Sequence, residues 1–269
     1  MAITALGSAS SGLSALGTQL DITSNNLANI NTTGFKSFRA NLEDLSYQVR
    51  AQPGVENAQG DRTPSGLLVG LGVRVSNTQQ NFSQGNSVAT GQPLDLMISG
   101  EGFFKVEVPP DASPDGIAYT RAGNFFTNVD GEIVLGSRLG PRIDPNITVP
   151  DFTSTISIQP DGTVTFADNA GNELGTANLE IANFVNPAGL QAIGGNLLIE
   201  TEASGPPNAD GEPLTPGLGS VEQGFLEGSN VDPVLELVDL IRTQRAFEFN
   251  SQSIQAADEA LSVIGNIRR

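Results

Sequence analysis

The chain contains no cysteine, no histidine and no tryptophan among its 269 residues. Without thiols there are no disulfide staples, thiolate nucleophiles or cysteine-ligated zinc sites. Without imidazole, Ser-His and Cys-His nucleophile pairs and the usual near-neutral proton shuttle are excluded as well. Basic residues are scarce, 13 against 30 acidic ones for a net charge of -17, and their longest run is Arg268-Arg269. Phosphate contacts need clustered Lys and Arg, so nucleic acid and anionic membrane surfaces are not expected partners. Long apolar runs are missing too. Even Val234 to Ile241 is interrupted by Glu236 and Asp239, and nothing approaches the about 20 apolar residues of a membrane span. No basic residue precedes Lys36, and the segment before it mixes apolar residues with Ser, Thr and Gly, which is not the pattern of a cleaved Sec-type signal peptide. The expectation is a soluble chain with no membrane insertion, either cytoplasmic or exported without a cleaved signal.

What is present falls into three parts. Residues 46 to 230 carry 21 acidic and 7 basic residues, while the ends are nearly balanced. The ends read as helices and the middle as strands and turns. At the N-terminus Leu6, Leu13, Leu20 and Leu27 recur every seven residues, with Ile3, Ser10, Gly17 and Ser24 at the companion heptad positions. Gly7, Gly12 and Gly17 each cost about 1 kcal/mol relative to alanine, so this helix is expected to be weak in isolation. Asn25, Asn26, Asn29 and Asn31 crowd its end, and Gly34 supplies a stop. At the C-terminus Asp232 is a candidate cap and Pro233 suits the first helical position. From there Leu240, Phe247, Ile254 and Leu261 keep the seven-residue spacing, with Thr243, Asn250, Ala257 and Ile264 three residues after each, before Gly265. Pro233 to Ile264 as one helix is about 48 Å long at about 1.5 Å per residue, long for a compact core of this size.

Between these ends lie strand-like runs at Leu94 to Ile98, Phe103 to Val108, Glu132 to Leu135, Thr155 to Ile158, Thr163 to Phe166 and Leu179 to Phe184. Asp130-Gly131 and Asp161-Gly162 separate several of them, as expected of antiparallel hairpins. Residues 51 to 72 and 201 to 219 are rich in Pro and Gly and read as extended connectors. The predicted fold class is therefore α+β: a discontinuous helical domain of coiled-coil character from both termini, and a central all-β antiparallel domain. The expected boundaries are 1–34 for the first helix, 35–75 for a connector, 76–200 for the β domain, 201–230 for a return connector and 231–269 for the second helix.

The acidic turns Asp115-Gly116, Asp130-Gly131, Asp161-Gly162 and Asp210-Gly211 lack the alternating ligands and distant Glu of a calcium loop, so ordinary turns are expected there. The adjacent pairs Glu43-Asp44 and Asp258-Glu259 diverge rather than converge on a scissile bond. The glycines at 66 to 72, 100 and 102 lead into no Lys-Ser/Thr helix start, so no phosphate loop is expected. No catalytic, metal-binding or cofactor-binding residue emerges. The two heptad seams point instead to packing. Packing within one monomer's core is the plain reading, and packing between copies is the sharper one.

Several motifs carry a family likeness. Ser11-Gly12-Leu13, Asn25-Asn26-Leu27-Ala28-Asn29 and Thr33-Gly34-Phe35-Lys36 resemble the N-terminal signature of bacterial flagellar rod and hook proteins. Gly100-Glu101-Gly102-Phe103-Phe104, Tyr119-Thr120-Arg121, Leu226-Glu227 with Ser229-Asn230-Val231, Glu236-Leu237-Val238 and Gln244-Arg245-Ala246-Phe247-Glu248 continue the likeness in family order. Tyr47-Gln48, Gln52-Pro53-Gly54 and Pro64-Ser65-Gly66-Leu67 are similar to a connector characteristic of distal rod subunits, with proximal rod subunits the nearest rival. The start, Met1-Ala2-Ile3-Thr4, departs from members that carry a bulkier residue early. The resemblance implies a coiled-coil terminal domain facing a central channel, export through the flagellar type III apparatus, and polymerisation into a helical tube in the basal body, from the periplasm to the outer membrane. The implied partners are copies of itself, proximal rod proteins, the hook protein and the P-ring and L-ring proteins. The expected assembly residues are Leu6, Leu13, Leu20, Leu27, Asn25, Asn26, Asn29, Leu240, Phe247, Ile254 and Leu261. The expected rod-specific connector residues are Tyr47, Gln52, Pro53, Gly54, Pro64, Ser65 and Gly66. A competing reading is an exported β-rich protein that binds or cleaves cell-wall sugar. It would need convergent carboxylates and aromatic platforms, and the chain has two Tyr and no Trp.

Overall fold

Period-3.6 patterning at the ends and period-2 patterning in the middle produce the elements the chain forms in the computed structural model, which describes residues 2–54, 65–113 and 115–267. Pro64 and Arg268-Arg269 lie outside the described residues. The chain divides into two units: residues 1–28, 38–79 and 232–269 make one, and residues 29–37 and 80–231 the other.

The first unit holds two helices, α1 (Ala2–Ala28) and α2 (Pro233–Ile267), which pack on each other. Asp232 caps α2, its Oδ1 accepting from the Val234 and Leu235 backbone N–H groups at 2.8 and 3.2 Å. The helix runs through Gly265, which the sequence suggested as its stop. A single glycine removes about 1 kcal/mol of helix propensity and introduces no steric bar, so the helical run continues across it.

The stretch 35–75, expected as an extended connector, instead contains paired strands. β1 (Phe38–Asp44), β2 (Tyr47–Ala51), β3 (Leu67–Gly70) and β4 (Val73–Gln80) form two ribbons, β1 with β4 and, antiparallel, β2 with β3. These belong with the helices, not with the β unit. Ser11 explains part of that attachment. Its Oγ accepts from the Val73 N–H at 3.2 Å while Ser8 Oγ donates to the Gly70 carbonyl at 3.4 Å. Gly72, at φ +118°, would place a Cβ 2.1 Å from Ser11 Oγ, so only glycine turns this corner under α1.

The second unit is antiparallel throughout its strand pairs. Its strands are β5 (Ser87–Ala89), β6 (Leu96–Ser99), β7 (Phe103–Glu107), β8 (Ile117–Thr120), β9 (Phe125–Thr127), β10 (Ile133–Leu135), β11 (Thr155–Ile158), β12 (Thr163–Ala167), β13 (Glu173–Asn178), β14 (Ile181–Asn183), β15 (Gln191–Gly194), β16 (Leu197–Ile199), β17 (Ala209–Gly211), β18 (Ser220–Gln223) and β19 (Phe225–Glu227). A six-stranded sheet in the order β15-β16-β8-β7-β14-β17 is accompanied by the three-stranded β11-β12-β13 and three two-stranded pairs. Every strand-like run read from the sequence contains a strand. The return connector 201–230 also contains β17, which joins the sheet edge, and β18 and β19.

Alternation sorts the core onto the two faces of β7. Phe104 and Val106 enter one apolar cluster with Leu96, Ile98, Phe125, Ile133 and Ile181, while Phe103 enters another with Tyr119, Ala182, Phe184, Leu190 and Leu198. Tyr119 and Phe184 meet edge to face at 4.7 Å between centroids, and Phe104 meets Phe125 likewise at 5.3 Å. Lys105 shares the Phe103 face and is almost fully buried. It is ringed by Glu180 at 2.6 Å, Asp210 at 2.9 Å and Asp144 at 3.6 Å. Burial alone would lower its affinity for the proton, but hydrogen bonds to Glu180 and Asp210 outweigh that and raise it above the ordinary lysine value. Three of the Asp-Gly pairs, 115–116, 130–131 and 161–162, lie at turns with the glycine at φ +69°, +78° and +84°, whereas Asp210-Gly211, expected as a turn, lies in the edge strand β17.

Candidate assembly interface

The heptad residues lie along the helix pair. Leu6, Leu13, Leu20 and Leu27 are half-buried, and the fully buried positions of α1 are the smaller Gly12, Ala15, Thr23 and Asn26. On α2, Leu240, Ile254 and Leu261 are half-buried, Thr243 is buried and Phe247 is 39% exposed. A Cβ at Gly12 would come 2.9 Å from the Asn250 amide nitrogen, so the glycine permits a close crossing of the two helices. The seven-residue stripes are therefore largely engaged within the chain, with their flanks open.

The asparagines divide by role. Asn26, 2% exposed, accepts from the Phe38 N–H at 2.9 Å and donates to the Phe38 carbonyl at 2.8 Å and to Glu236 at 3.0 Å. It thus joins α1, β1 and the first turn of α2 through one amide. Burial raises the Glu236 carboxyl above its ordinary value, and the Asn26 amide works against that rise. Asn25 is exposed beside it, and Asn29 is half-buried and already in the second unit.

Opposite its packed stripe, the first turns of α2 expose aliphatic residues, and charged and amide side chains such as Arg245, Glu248 and Gln252 share the exposed side further on. Val234, Leu235, Leu237, Val238, Ile241, Phe249 and Val263 are all exposed. Sequence reading missed this face because the heptad register drew attention to the other one. The signal was there in the uninterrupted Val234-Leu235 and Leu237-Val238 doublets, which spread aliphatic residues over an arc of about 160°, wider than a single packing stripe.

The connector residues form the β2–β3 ribbon and its ends. Tyr47 pairs with Gly70 and Val49 with Leu68 across it. Tyr47, Val49, Leu67 and Leu68 are each more than half exposed, and a lone two-stranded ribbon is marginal in water. Gln52, Pro53 and Gly54 turn away from β2, with Gly54 at φ +79°. Ser65 is exposed, and a Cβ at Gly66 would strike the Ala51 carbonyl at 2.6 Å.

A second constellation, absent from the sequence-based site list, gathers in the β unit where its incoming and outgoing segments meet. Glu227, with no exposed surface, accepts from Lys36 at 2.5 Å, from the Gly85 N–H at 2.8 Å and from Arg121 at 3.3 Å. Lys36 also donates to the Ser83 carbonyl at 2.7 Å, and Arg121 to the Gly100 carbonyl at 2.8 Å while lying 5.2 Å over the Phe103 ring. Burial pulls the Lys36 ammonium below its usual value, and Glu227 opposes that shift. Backbone bonds run alongside: Gly34 N–H to the Glu227 carbonyl at 2.8 Å, and Asn230 Oδ1 accepting from Ser37 N–H at 2.8 Å. This is a clamp of two buried cations on one carboxylate. Its members had already appeared in the quoted motifs, and charged residues inside otherwise apolar or glycine-rich runs were the signal that could have found them.

Comparison with known proteins accounts for these motifs. Residues 6–36 match a family described as flagella basal body rod protein, residues 97–166 the flagellar hook protein FlgE/F/G D1 domain, and residues 222–267 the flagellar basal body rod FlgEFG protein C-terminal family. The flagellar basal-body rod protein FlgG of Agrobacterium fabrum is 43% identical over 97% of this chain and 97% of its own length. That of Borreliella burgdorferi is 40% identical over 98% of each. A rod protein named FlgF, from Caulobacter vibrioides, is 34% identical over 86% of this chain and 83% of its own. With relatives of this identity covering nearly its whole length, the chain belongs to the flagellar basal-body rod and hook family.

Proposed function

We propose that copies of this chain polymerise into the distal rod of the bacterial flagellum, the non-enzymatic drive shaft that carries torque from motor to hook. The observation that carries this reading is the apolar outer face of α2 on a helix pair whose heptad stripes are already engaged, because such a surface needs a partner. Near-complete coverage by FlgG-type relatives supports the distal over the proximal assignment. On this reading the rod joins proximal rod proteins below and the hook above, and passes through the P and L rings in the periplasm and outer membrane. The chain reaches its place unfolded through the flagellar type III apparatus. The half-buried Leu6, Leu13, Leu20, Leu27, Leu240, Ile254 and Leu261 contribute their open flanks, and the exposed Phe247 its ring, to the same inner tube.

Ile241→Asp tests this. Ile241 is 56% exposed, so the isolated variant should unfold within about 0.5 kcal/mol of the parent, yet cells carrying it should build no rods and should not swim. Normal rods, seen by electron microscopy of isolated basal bodies, would sink the assignment.

The β2–β3 ribbon supports a narrower role. Its exposed Tyr47, Val49, Leu67 and Leu68 suit a strut that lies on a neighbouring copy and stiffens the tube. Deleting residues 52–66 should yield rods that are curved or of altered length. Straight rods of parental length would rule the strut out.

A further inference from the structure

The two helices present complementary features on their outer sides. On α2, Val234, Val238, Ile241 and Arg245 follow at i, i+4, i+7 and i+11, which sets them in one row. The three aliphatic residues are 66%, 39% and 56% exposed. On α1, Thr18, Asp21, Ile22 and Asn25 line a groove of about 250 Å³ together with Phe38 and Thr78. Thr18, Ile22 and Asn25 repeat the same i, i+4, i+7 step, so the groove runs along the helix as the ridge does.

The charges match as well as the shapes. Asp21 is the single charged side chain ahead of Lys36. It is exposed, and no salt bridge among the described residues includes it. Among the described residues Arg245, at the end of the ridge, pairs with Glu248, three residues on at 3.1 Å, with side chains 69% and 56% exposed. Such a surface pair is weak and readily exchanged. An aliphatic row ending in a cation thus has its counterpart in an Ile22/Phe38 floor with an anion at its rim.

We propose that the α1 groove receives the α2 ridge of a second copy of this chain, with Arg245 of that copy against Asp21. The inference rests on the polymerisation reading and names the surface that performs it. Ridge and groove are different surfaces of one chain, so the contact is heterologous, and repeating it generates an open helical array rather than a closed dimer. A two-fold ridge-to-ridge contact would bring like charges together instead.

Because the chain has no cysteine, an engineered pair reports unambiguously. Two full-length copies with different tags, one carrying Ile22→Cys and the other Val238→Cys, are co-expressed in flagellated cells that lack the parent gene, and isolated basal bodies are oxidised. The expected product is a disulfide-linked species bearing both tags. Absence of that product from cells that swim normally overturns the proposal while leaving polymerisation standing, and so does a homodimer of the Val238→Cys copy alone. A second arm uses charge. Asp21→Arg and Arg245→Asp, each alone, should reduce flagellated cells roughly tenfold, and the double exchange in one chain should restore most of them. A double variant no better than the singles overturns the pairing. Normal rods from Ile241→Asp would instead remove the polymerisation reading beneath it.

Discussion

Glu227→Gln should destabilise the β unit by about 3–5 kcal/mol, the range for uncovering a buried charge. The carboxylate has no exposed surface and faces two cations, Lys36 and Arg121, that are 2% and 6% exposed. Glutamine is nearly isosteric, so the volume of the site is kept, while the charge is lost and one acceptor oxygen becomes an NH2 that faces a donor. What remains is a pair of buried positive groups with no anion between them. For a unit of this size the loss corresponds to a fall in melting temperature on the order of 10 °C, read from thermal unfolding followed by circular dichroism. Adding Lys36→Met to Glu227→Gln should return part of the stability, since one of the two stranded cations is gone and its aliphatic replacement fits an enclosed site. Unchanged unfolding in Glu227→Gln, or a double variant that is weaker than the single by the full cost of losing lysine, would show that the cluster does not hold the unit together.

Gly34→Ala should be nearly as damaging, and for a different reason. Gly34 sits at φ +69°, where an added Cβ would lie 2.5 Å from the Ala122 nitrogen and 2.7 Å from the Arg121 carbonyl carbon. Both obstacles are backbone and cannot rotate aside, so relief requires moving the strand end that bears Arg121. Gly116 supplies the internal standard. It has the same φ of +69°, yet its nearest obstacle is the Val108 carbonyl oxygen at 3.7 Å, an ordinary contact. Gly116→Ala should therefore cost only the left-handed backbone penalty of about 1–2 kcal/mol, whereas Gly34→Ala should cost about 3 kcal/mol or more. Chemical denaturation of the two variants separates the terms. Equal midpoints would mean that the close approach of Gly34 to residues 121 and 122 contributes nothing.

Much of the frame was legible because local pattern and tertiary environment agree. Phe103 to Val108 alternates between two apolar clusters, and the run is a strand. Asp232-Pro233 reads as a helix start, and the aspartate caps it. Legibility failed where pairing partners supply what local sequence does not. β2 and β3 lie on either side of a Pro/Gly-rich stretch and bury little of their own surface, so nothing in either segment alone announces a ribbon. The clamp was hidden for the opposite reason. Lysine, arginine and glutamate are residue types expected at the surface, and Lys36 and Glu227 are 191 positions apart. Only the fold reveals that they share one enclosed site. The helix pair was half legible: the seven-residue stripes were found, but which flank of α2 stays open depends on where α1 lies.

The clamp also bears on how such a chain can vary. Asn230 Nδ2 donates to the Asn81 carbonyl at 2.8 Å, so the long run of the β unit, residues 80–231, begins and finishes at nearly one point. A body whose two ends coincide can be enlarged, reduced or exchanged between those ends while the chain on either side keeps its path, as in domain insertion. The triad at residues 36, 121 and 227 then acts as a fixed socket for whatever that run carries.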